Sequence, residues 1–275
     1  MSRIPARFEH LKARRRSALV AYLMAGDPHA EATVPLTHAM VAAGADIIEL
    51  GVPFSDPMAD GPVIQAAGER ALKNRVTLRD TLNMVEAFRA RDRQTPVVLM
   101  GYLNPIEAMG CRVFAEAAAR AGVDGVITVD LPPEEADELV AALTAVDVDP
   151  VFLLAPTTTP ARIDTICAAA RGFIYYVSLK GVTGATTLDV DAVERKLNEI
   201  RASAKVPIGV GFGIKDAAAA ARMAKIADAV VVGSALVELI AANAGDDDAA
   251  RTEVAALLRA MREAMDAQNS DVQVA

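Results

Sequence analysis

DIIELGVPFSDPMADGP, residues 46–62, is an apolar strand that ends on the carboxylate of Glu49 and continues into a loop rich in proline, glycine and aspartate. A carboxylate at the end of a buried strand is costly unless something there pairs it or uses it. Two further acids, Asp56 and Asp60, stand in the loop, where prolines restrict the backbone. Carboxyl groups in differently solvated surroundings can together perform acid and base chemistry. The alternative is that Asp60 caps a helix that begins at Pro62.

A strand-then-helix pattern extends from this stretch along almost the whole chain. Helix-length segments with apolar residues at i, i+3 and i+4 separate the short aliphatic runs, and several of those runs are continuously apolar, as expected of parallel strands covered on both faces. The predicted strands are 18–24, 46–51, 96–101, 124–129, 150–155, 173–178, 206–211 and 228–232.

Eight strand–helix units in 275 residues predict a single (β/α)8 TIM barrel spanning residues 1–275. A doubly wound open sheet is the alternative fold. An extra N-terminal helix is predicted from Pro5 to Arg15, and an extra C-terminal helix from Asp248 to Ala267. Residues 268–275 are expected to form a frayed tail.

Composition excludes several classes of protein. The net charge of −8 argues against nucleic acid as a partner, which requires a positive surface. The apolar stretch 226–242 is interrupted by Asp228, Ser234 and Glu238, so no membrane span is predicted. Two distant cysteines and the lack of a signal peptide indicate a reduced, cytoplasmic protein.

Barrel enzymes carry their active sites where the strands end, so those positions matter most here. In the second strand Ile47 and Glu49 share a face, which points Glu49 into the mouth of the barrel among apolar neighbours and should raise its pKa. The other polar candidates after strands are Tyr102, Asn104, Asp130, Thr157, Tyr175 and Ser178.

Glycines at the ends of the last two strands form a second kind of candidate site. Gly211 and Gly213 precede a helix expected near Lys215, and Gly233-Ser234 precede another. Free N–H groups at helix starts bind phosphate, and barrels often place phosphate after strands seven and eight. Tight turns alone are the alternative explanation for these glycines. The glycine-hinged loop 178–185 is suited to closing over a ligand.

The residues that are missing from these positions also restrict the chemistry. No histidine is expected at the strand ends, which disfavours a histidine base or a zinc site, and lysine nucleophiles are scarce. The reaction must therefore use carboxylates, tyrosine and backbone donors on a substrate that accepts electrons itself.

The motif 49–62 resembles the signature of the tryptophan synthase alpha subunit family. Further segments of that family follow in the same order, and the resemblance runs from about Phe8 to Met265. These segments are Ala25-Gly26-Asp27-Pro28, Met100-Gly101-Tyr102-Leu103-Asn104-Pro105, Asp130-Leu131-Pro132, Gly181-Val182-Thr183-Gly184 and Gly211-Phe212-Gly213-Ile214. The family cleaves indole-3-glycerol phosphate into indole and glyceraldehyde 3-phosphate by a retro-aldol reaction.

The resemblance implies a role for each residue that matches. Glu49 would be the acid/base, Asp60 would hold the indole N–H, and Tyr175 would help to position Glu49 and the substrate. Phosphate would bind at Gly184, Gly213, Gly233 and Ser234. The indole pocket would be lined by Tyr22, Met100, Tyr102, Ile127, Leu153 and Phe212.

The resemblance also implies a pyridoxal-phosphate beta subunit as partner in an α2β2 complex, with no cofactor in this chain. Asp56 and Thr183 would act in loop closure and in communication with the partner. The chain departs from some members at Leu179-Lys180, where others have Arg-Ser, and at Tyr22, where phenylalanine is common. A non-catalytic regulatory subunit and another phosphate-binding barrel enzyme of the same pathway are the alternative functions.

Overall fold

Eight parallel strands close into a barrel in which each strand pairs with its neighbours in chain order, and β8 pairs with β1. The computed structural model describes residues 1–178, 189–211 and 213–270, with the side chains of 268–270 left aside. The strands are β1 Ala18–Met24, β2 Ile47–Gly51, β3 Val97–Gly101, β4 Gly125–Thr128, β5 Asp149–Leu154, β6 Ile174–Val177, β7 Ile208–Gly211 and β8 Ala229–Val232. The predicted (β/α)8 fold is therefore confirmed.

Helices surround the barrel, and a short 3-10 turn at Pro133–Glu135 precedes one of them. Within the described residues they are α1 Ile4–Ala13, α2 Ala30–Ala42, α3 Pro62–Lys73, α4 Leu78–Arg89, α5 Leu103–Met109, α6 Cys111–Ala121, α7 Asp137–Ala145, α8 Pro160–Ala169, α9 Val190–Arg201, α10 Ala217–Ala224, α11 Ser234–Ala242 and α12 Asp247–Ser270.

The extra helices at the two ends of the chain are both present, with bounds that differ from the prediction. The first helix ends at Ala13, because Arg15 takes a left-handed backbone conformation with φ 53°. The last helix continues to Ser270, three residues into the segment expected to fray. Residues 271–275 of that tail lie outside the described residues.

A compact apolar cluster fills the inside of the barrel below its mouth. It contains inward-facing aliphatic residues of the strands, such as Val20, Ile47 and Val98, together with residues of α1. Phe8 of α1 packs against Phe173 with ring centroids 6.0 Å apart. Helix α1 thus closes the amino-terminal end of the barrel, and among the described residues the carboxyl ends of the strands form the open end.

Three aspartates lie at the closed end, each immediately before an even-numbered strand. Each carboxylate accepts a hydrogen bond from a backbone N–H at the start of the preceding strand. The pairs are Leu19 N–H to Asp46 at 3.0 Å, Val97 N–H to Asp124 at 2.8 Å and Ile208 N–H to Asp228 at 2.9 Å. Arginines compensate two of these charges: Arg262 binds Asp46, while Arg3 and Arg89 bind Asp124. This end of the molecule serves stability.

Candidate active site

Glu49 lies inside the barrel near the open end, opposite Tyr22 of β1 and Val98 of β3 in the strand register. It is 1% exposed, and its Oε2 has no hydrogen-bond partner among the described residues. Burial raises the pKa of Glu49 to about 8, and the nearby charge of Asp60 adds to this effect. The predicted position and the predicted direction of the pKa shift are both confirmed.

Asp60 stands on the loop between β2 and α3, half-buried, and faces the same space. It does not cap α3, because the residue at the N-cap is Gly61 and no side chain accepts a hydrogen bond there. The helix-cap interpretation of Asp60 was therefore wrong. Burial raises the pKa of Asp60, whereas a hydrogen bond from Tyr102 opposes that rise by favouring the ionised carboxylate.

Tyr102 holds the loop that carries Asp60. Its hydroxyl accepts a hydrogen bond of 3.0 Å from the N–H of Ala59, and its ring stacks on Phe54 with centroids 5.0 Å apart. Asp130, at the end of β4, accepts a hydrogen bond of 2.9 Å from the N–H of Leu103 and so fixes the start of α5 just after Tyr102. Tyr102 therefore acts on the loop, in addition to the predicted lining role.

Two more tyrosines, Tyr22 and Tyr175, extend into the mouth of the barrel from β1 and β6. Each hydroxyl occupies the space above a glycine of the adjacent strand. A Cβ on Gly51 would lie 2.3 Å from the Tyr22 hydroxyl, and one on Gly211 would lie 2.2 Å from the Tyr175 hydroxyl. Burial raises the pKa of both tyrosines well above 10, and the charge of Glu49 contributes in each case. Both remain protonated donors.

From the sequence we did not predict that positions 51 and 211 require glycine. A glycine at a strand end indicates a close approach only when the approaching side chain is known. The strand register supplies that information, since it pairs Tyr22 with Glu49 two residues before Gly51, and Tyr176 with Val210 next to Gly211.

The glycine-bearing strand ends differ from one another. Helix α11 begins at Ser234 directly after Gly233, and no side chain of the described residues caps its first N–H groups. Helix α10 begins only at Ala217, and the carboxylate of Asp216 already accepts a hydrogen bond from the N–H of Ala219. Free helix N–H groups for an anion are thus found at α11, whereas near Gly213 only loop backbone is offered.

Below these groups, the apolar pocket residues occupy different depths. Met100 and Leu153 are partly buried against the interior cluster, as is the ring of Tyr175. Ile127 is 0% exposed, so it packs beneath the residues that line the pocket and does not itself form the pocket surface.

Several predicted residues do not join this group or cannot be placed. Asn104 and Thr157 are exposed, as is Asp56, whose carboxylate accepts a hydrogen bond of 2.5 Å from the hydroxyl of Ser55. Ser178 donates to the carbonyl oxygen of Gly211 at 2.9 Å. Gly184, Thr183 and Phe212, together with Leu179-Lys180, lie outside the described residues.

An ion pair that the sequence did not indicate braces the loop between β2 and α3 from outside. Arg70 of α3 donates two hydrogen bonds, of 2.6 and 2.9 Å, to the fully buried carboxylate of Asp27. Asp27 lies in the loop after β1, so this bidentate pair fixes α3 to that loop. The base of the loop that carries Asp60 is anchored as a result.

His29 is the N-cap residue of α2, five residues after the last residue of β1, so it does not stand at a strand end. Its ring contacts Glu31 at 3.2 Å and Asp247 at 3.0 Å, not the group around Glu49. In residues 1–178, 189–211 and 213–270, no cluster of three histidine, cysteine or acidic side chains is arranged to hold a metal ion. No described helix has both the length and the apolarity to cross a bilayer.

The chain is similar to known proteins over almost its whole length. The family model described as tryptophan synthase alpha chain matches residues 8–266. The tryptophan synthase alpha chain of Thioalkalivibrio sulfidiphilus is 65% identical over 266 residues, covering 97% of this chain and 100% of the relative. That of Nitrosococcus oceani is 61% identical, covering 97% and 98%. The crystal structure of the alpha subunit from Legionella pneumophila superposes with a TM-score of 0.90 at 45% identity, covering 97% and 99%.

Proposed function

The chain belongs to the tryptophan synthase alpha chain family and is a lyase that cleaves indole-3-glycerol phosphate, and on this premise we propose that Glu49 and Asp60 carry the reaction. The observation that supports this most is the state of Glu49. Its carboxyl group is buried, one of its oxygens has no partner among the described residues, and its pKa of about 8 keeps it mostly protonated at neutral pH. Such a group can give a proton and then take one back.

Glu49 first donates its proton to C3 of the indole ring, which leaves a positive charge on the ring nitrogen. Asp60 accepts a hydrogen bond from the indole N–H and stabilises that charge. The Glu49 carboxylate then removes the proton of the glycerol hydroxyl next to the ring. As that oxygen becomes the aldehyde carbonyl, the carbon–carbon bond breaks and its electron pair returns to the indole ring. The products are indole and glyceraldehyde 3-phosphate, and Glu49 is protonated again.

The other side chains position the substrate. The uncapped start of α11 at Gly233 and Ser234 supports phosphate binding there, together with backbone at Gly213 and Gly184. Tyr175, whose pKa is raised partly by Glu49, places that carboxyl group and the substrate. Tyr22, Met100, Tyr102, Leu153 and Phe212 border the indole, and Ile127 supports them from below.

As an alpha chain, the protein works with a tryptophan synthase beta subunit. We propose an α2β2 assembly in which pyridoxal phosphate belongs to the beta subunit alone. The loop between β2 and α3 suits contact with a partner, because Met58 is 85% exposed next to the exposed Asp56. Asp56 and Thr183 would then couple loop closure to that partner. We also propose that the protein is a single domain, because one closed barrel takes in all eight described strands. We further propose that it is cytoplasmic.

The test is an indole-release assay with indole-3-glycerol phosphate, with and without beta subunit. Glu49→Gln and Asp60→Asn should each lower kcat by about 10²–10⁴-fold while circular dichroism stays unchanged. Glu86→Gln, which changes an exposed carboxyl group on α4, is the matched control and should keep wild-type activity. Half-maximal activity in either active-site variant would refute the assignment, and a wild type inactive under both conditions would favour a regulatory subunit.

A further inference from the structure

Tyr22 lies between the proposed phosphate site at Gly233 and the proposed catalytic acid Glu49. It is 4% exposed, and its ring lies beside Gly233, where an added Cβ would be 3.7 Å from the Cβ of Tyr22 and 3.8 Å from its Cδ1. Its hydroxyl lies above Gly51, where an added Cβ would be 2.3 Å away. The side chain thus extends from the end of β8, near the start of α11, to the end of β2, next to Glu49.

The Tyr22 hydroxyl is available to a ligand. Among residues 1–178, 189–211 and 213–270, no group forms a hydrogen bond with it. Burial keeps the pKa of Tyr22 well above its ordinary value, and the charges of Asp60 and Glu49 reinforce this effect. The hydroxyl is therefore a neutral donor within electrostatic reach of both carboxyl groups. Its oxygen is not one of the fully enclosed side-chain atoms that lack a partner, so a ligand in the mouth of the barrel can reach it and accept its hydrogen bond.

The course of the substrate follows from the proposed function, on which this inference rests. With the phosphate on Gly233 and Ser234 and the indole N–H on Asp60, the glycerol chain must run along Tyr22. We propose that the Tyr22 hydroxyl donates a hydrogen bond to a hydroxyl group of that chain, and that Tyr22 is a specificity-determining residue for hydroxylated indole-alkyl phosphates. Glu49 retains the chemistry, while Tyr22 distinguishes a chain that carries hydroxyl groups from one that lacks them.

Tyr22→Phe is a mild test, because phenylalanine keeps the ring between Gly233 and Gly51 and removes only the oxygen. It is combined with two ligands: the substrate indole-3-glycerol phosphate, and indole-3-propyl phosphate, which has the same ends but no hydroxyl group on its chain. We expect kcat/KM for the substrate to fall between about twofold and tenfold, the worth of one hydrogen bond. The inhibition constant of the propyl analogue should stay unchanged.

Tyr176→Phe is the matched control. Tyr176 is 2% exposed and follows Tyr175 in β6, so its side chain leaves the opposite face of the strand and packs in the outer core between strands and helices. Removing its hydroxyl should change neither ligand constant.

Three results would overturn the proposal. An equal loss for substrate and analogue would show that the hydroxyl supports packing only. No loss for either ligand would show that it contacts nothing. The loss of kcat/KM could also occur only at pH values where Glu49 is partly ionised. That result would show that the hydroxyl acts through the protonation of Glu49. Failure of the proposed function itself would be distinct, because the wild type would then release no indole from the substrate.

Discussion

Replacing Glu49 by glutamine should remove activity. The free energy of unfolding of this variant, relative to that of the wild type, should nevertheless increase as the pH rises. The pKa of Glu49 is raised by burial from an ordinary 4.5 to about 8. Between these values the folded state holds a proton that the unfolded chain has lost, so the free energy of unfolding of the wild type falls as pH increases. Glutamine cannot ionise, so the free energy of unfolding of the variant does not decrease with pH for this reason.

The magnitude follows from the gap between the two pKa values. At 1.36 kcal/mol for each pH unit, the wild type loses roughly 5 kcal/mol of stability between about pH 4.5 and 8, of which about 3 kcal/mol is lost by neutral pH. Above about pH 8 the carboxyl group is ionised in both states, and the difference between variant and wild type stops growing.

Urea unfolding, followed by circular dichroism at several pH values between about 5 and 9, measures this difference. The buried amide introduces its own constant offset, so the pH slope is the quantity to read. The difference in unfolding free energy between Glu49→Gln and wild type should grow by about 1.4 kcal/mol for each pH unit up to about 8. A difference that does not vary with pH would refute the raised pKa.

Two further substitutions test the supports of the site. Tyr102→Phe removes the hydroxyl that binds the Asp60 loop, so kcat for indole release should fall about tenfold with an unchanged fold, whereas full activity would contradict the positioning role. Gly51→Ala places a Cβ 2.3 Å from the Tyr22 hydroxyl and should lower the unfolding free energy by about 1–3 kcal/mol together with kcat/KM. Gly61→Ala is its control, since apart from its chain neighbours no atom of the described residues lies within 4 Å of that added Cβ, and equal effects at both glycines would exclude the steric explanation.

The strands could be predicted closely from the sequence, because strands covered on both faces are continuously aliphatic. The pattern placed β3 at 96–101 and β8 at 228–232, against observed bounds of Val97–Gly101 and Ala229–Val232. The inward direction of Glu49 also followed from local sequence alone, since side chains alternate along a strand.

The contacts within the site could not be predicted in the same way. Tyr102 and Ala59 are 43 residues apart, and their hydrogen bond depends on how two adjacent loops turn after their strands. Gly61, and not Asp60, is the N-cap of α3 because of the backbone path of the loop. The position of Asp60 two residues before Pro62 does not reveal that path. Such features arise from the approach of separate segments, which local patterns do not encode.

Asp46, at the closed end of the barrel, fixes the register of the strand that carries the catalytic acid. Asp46 stands three residues before Glu49, and it fits only when it meets both Leu19 N–H and Arg262. If β2 slipped by one residue against β1, that buried carboxylate would lose its partners, at a cost of about 3–5 kcal/mol, and Glu49 would turn away from the pocket toward the helices. The correct orientation of Glu49 is thus enforced at a distance, while its own Oε2 has no hydrogen-bond partner among the described residues and stays available to the substrate.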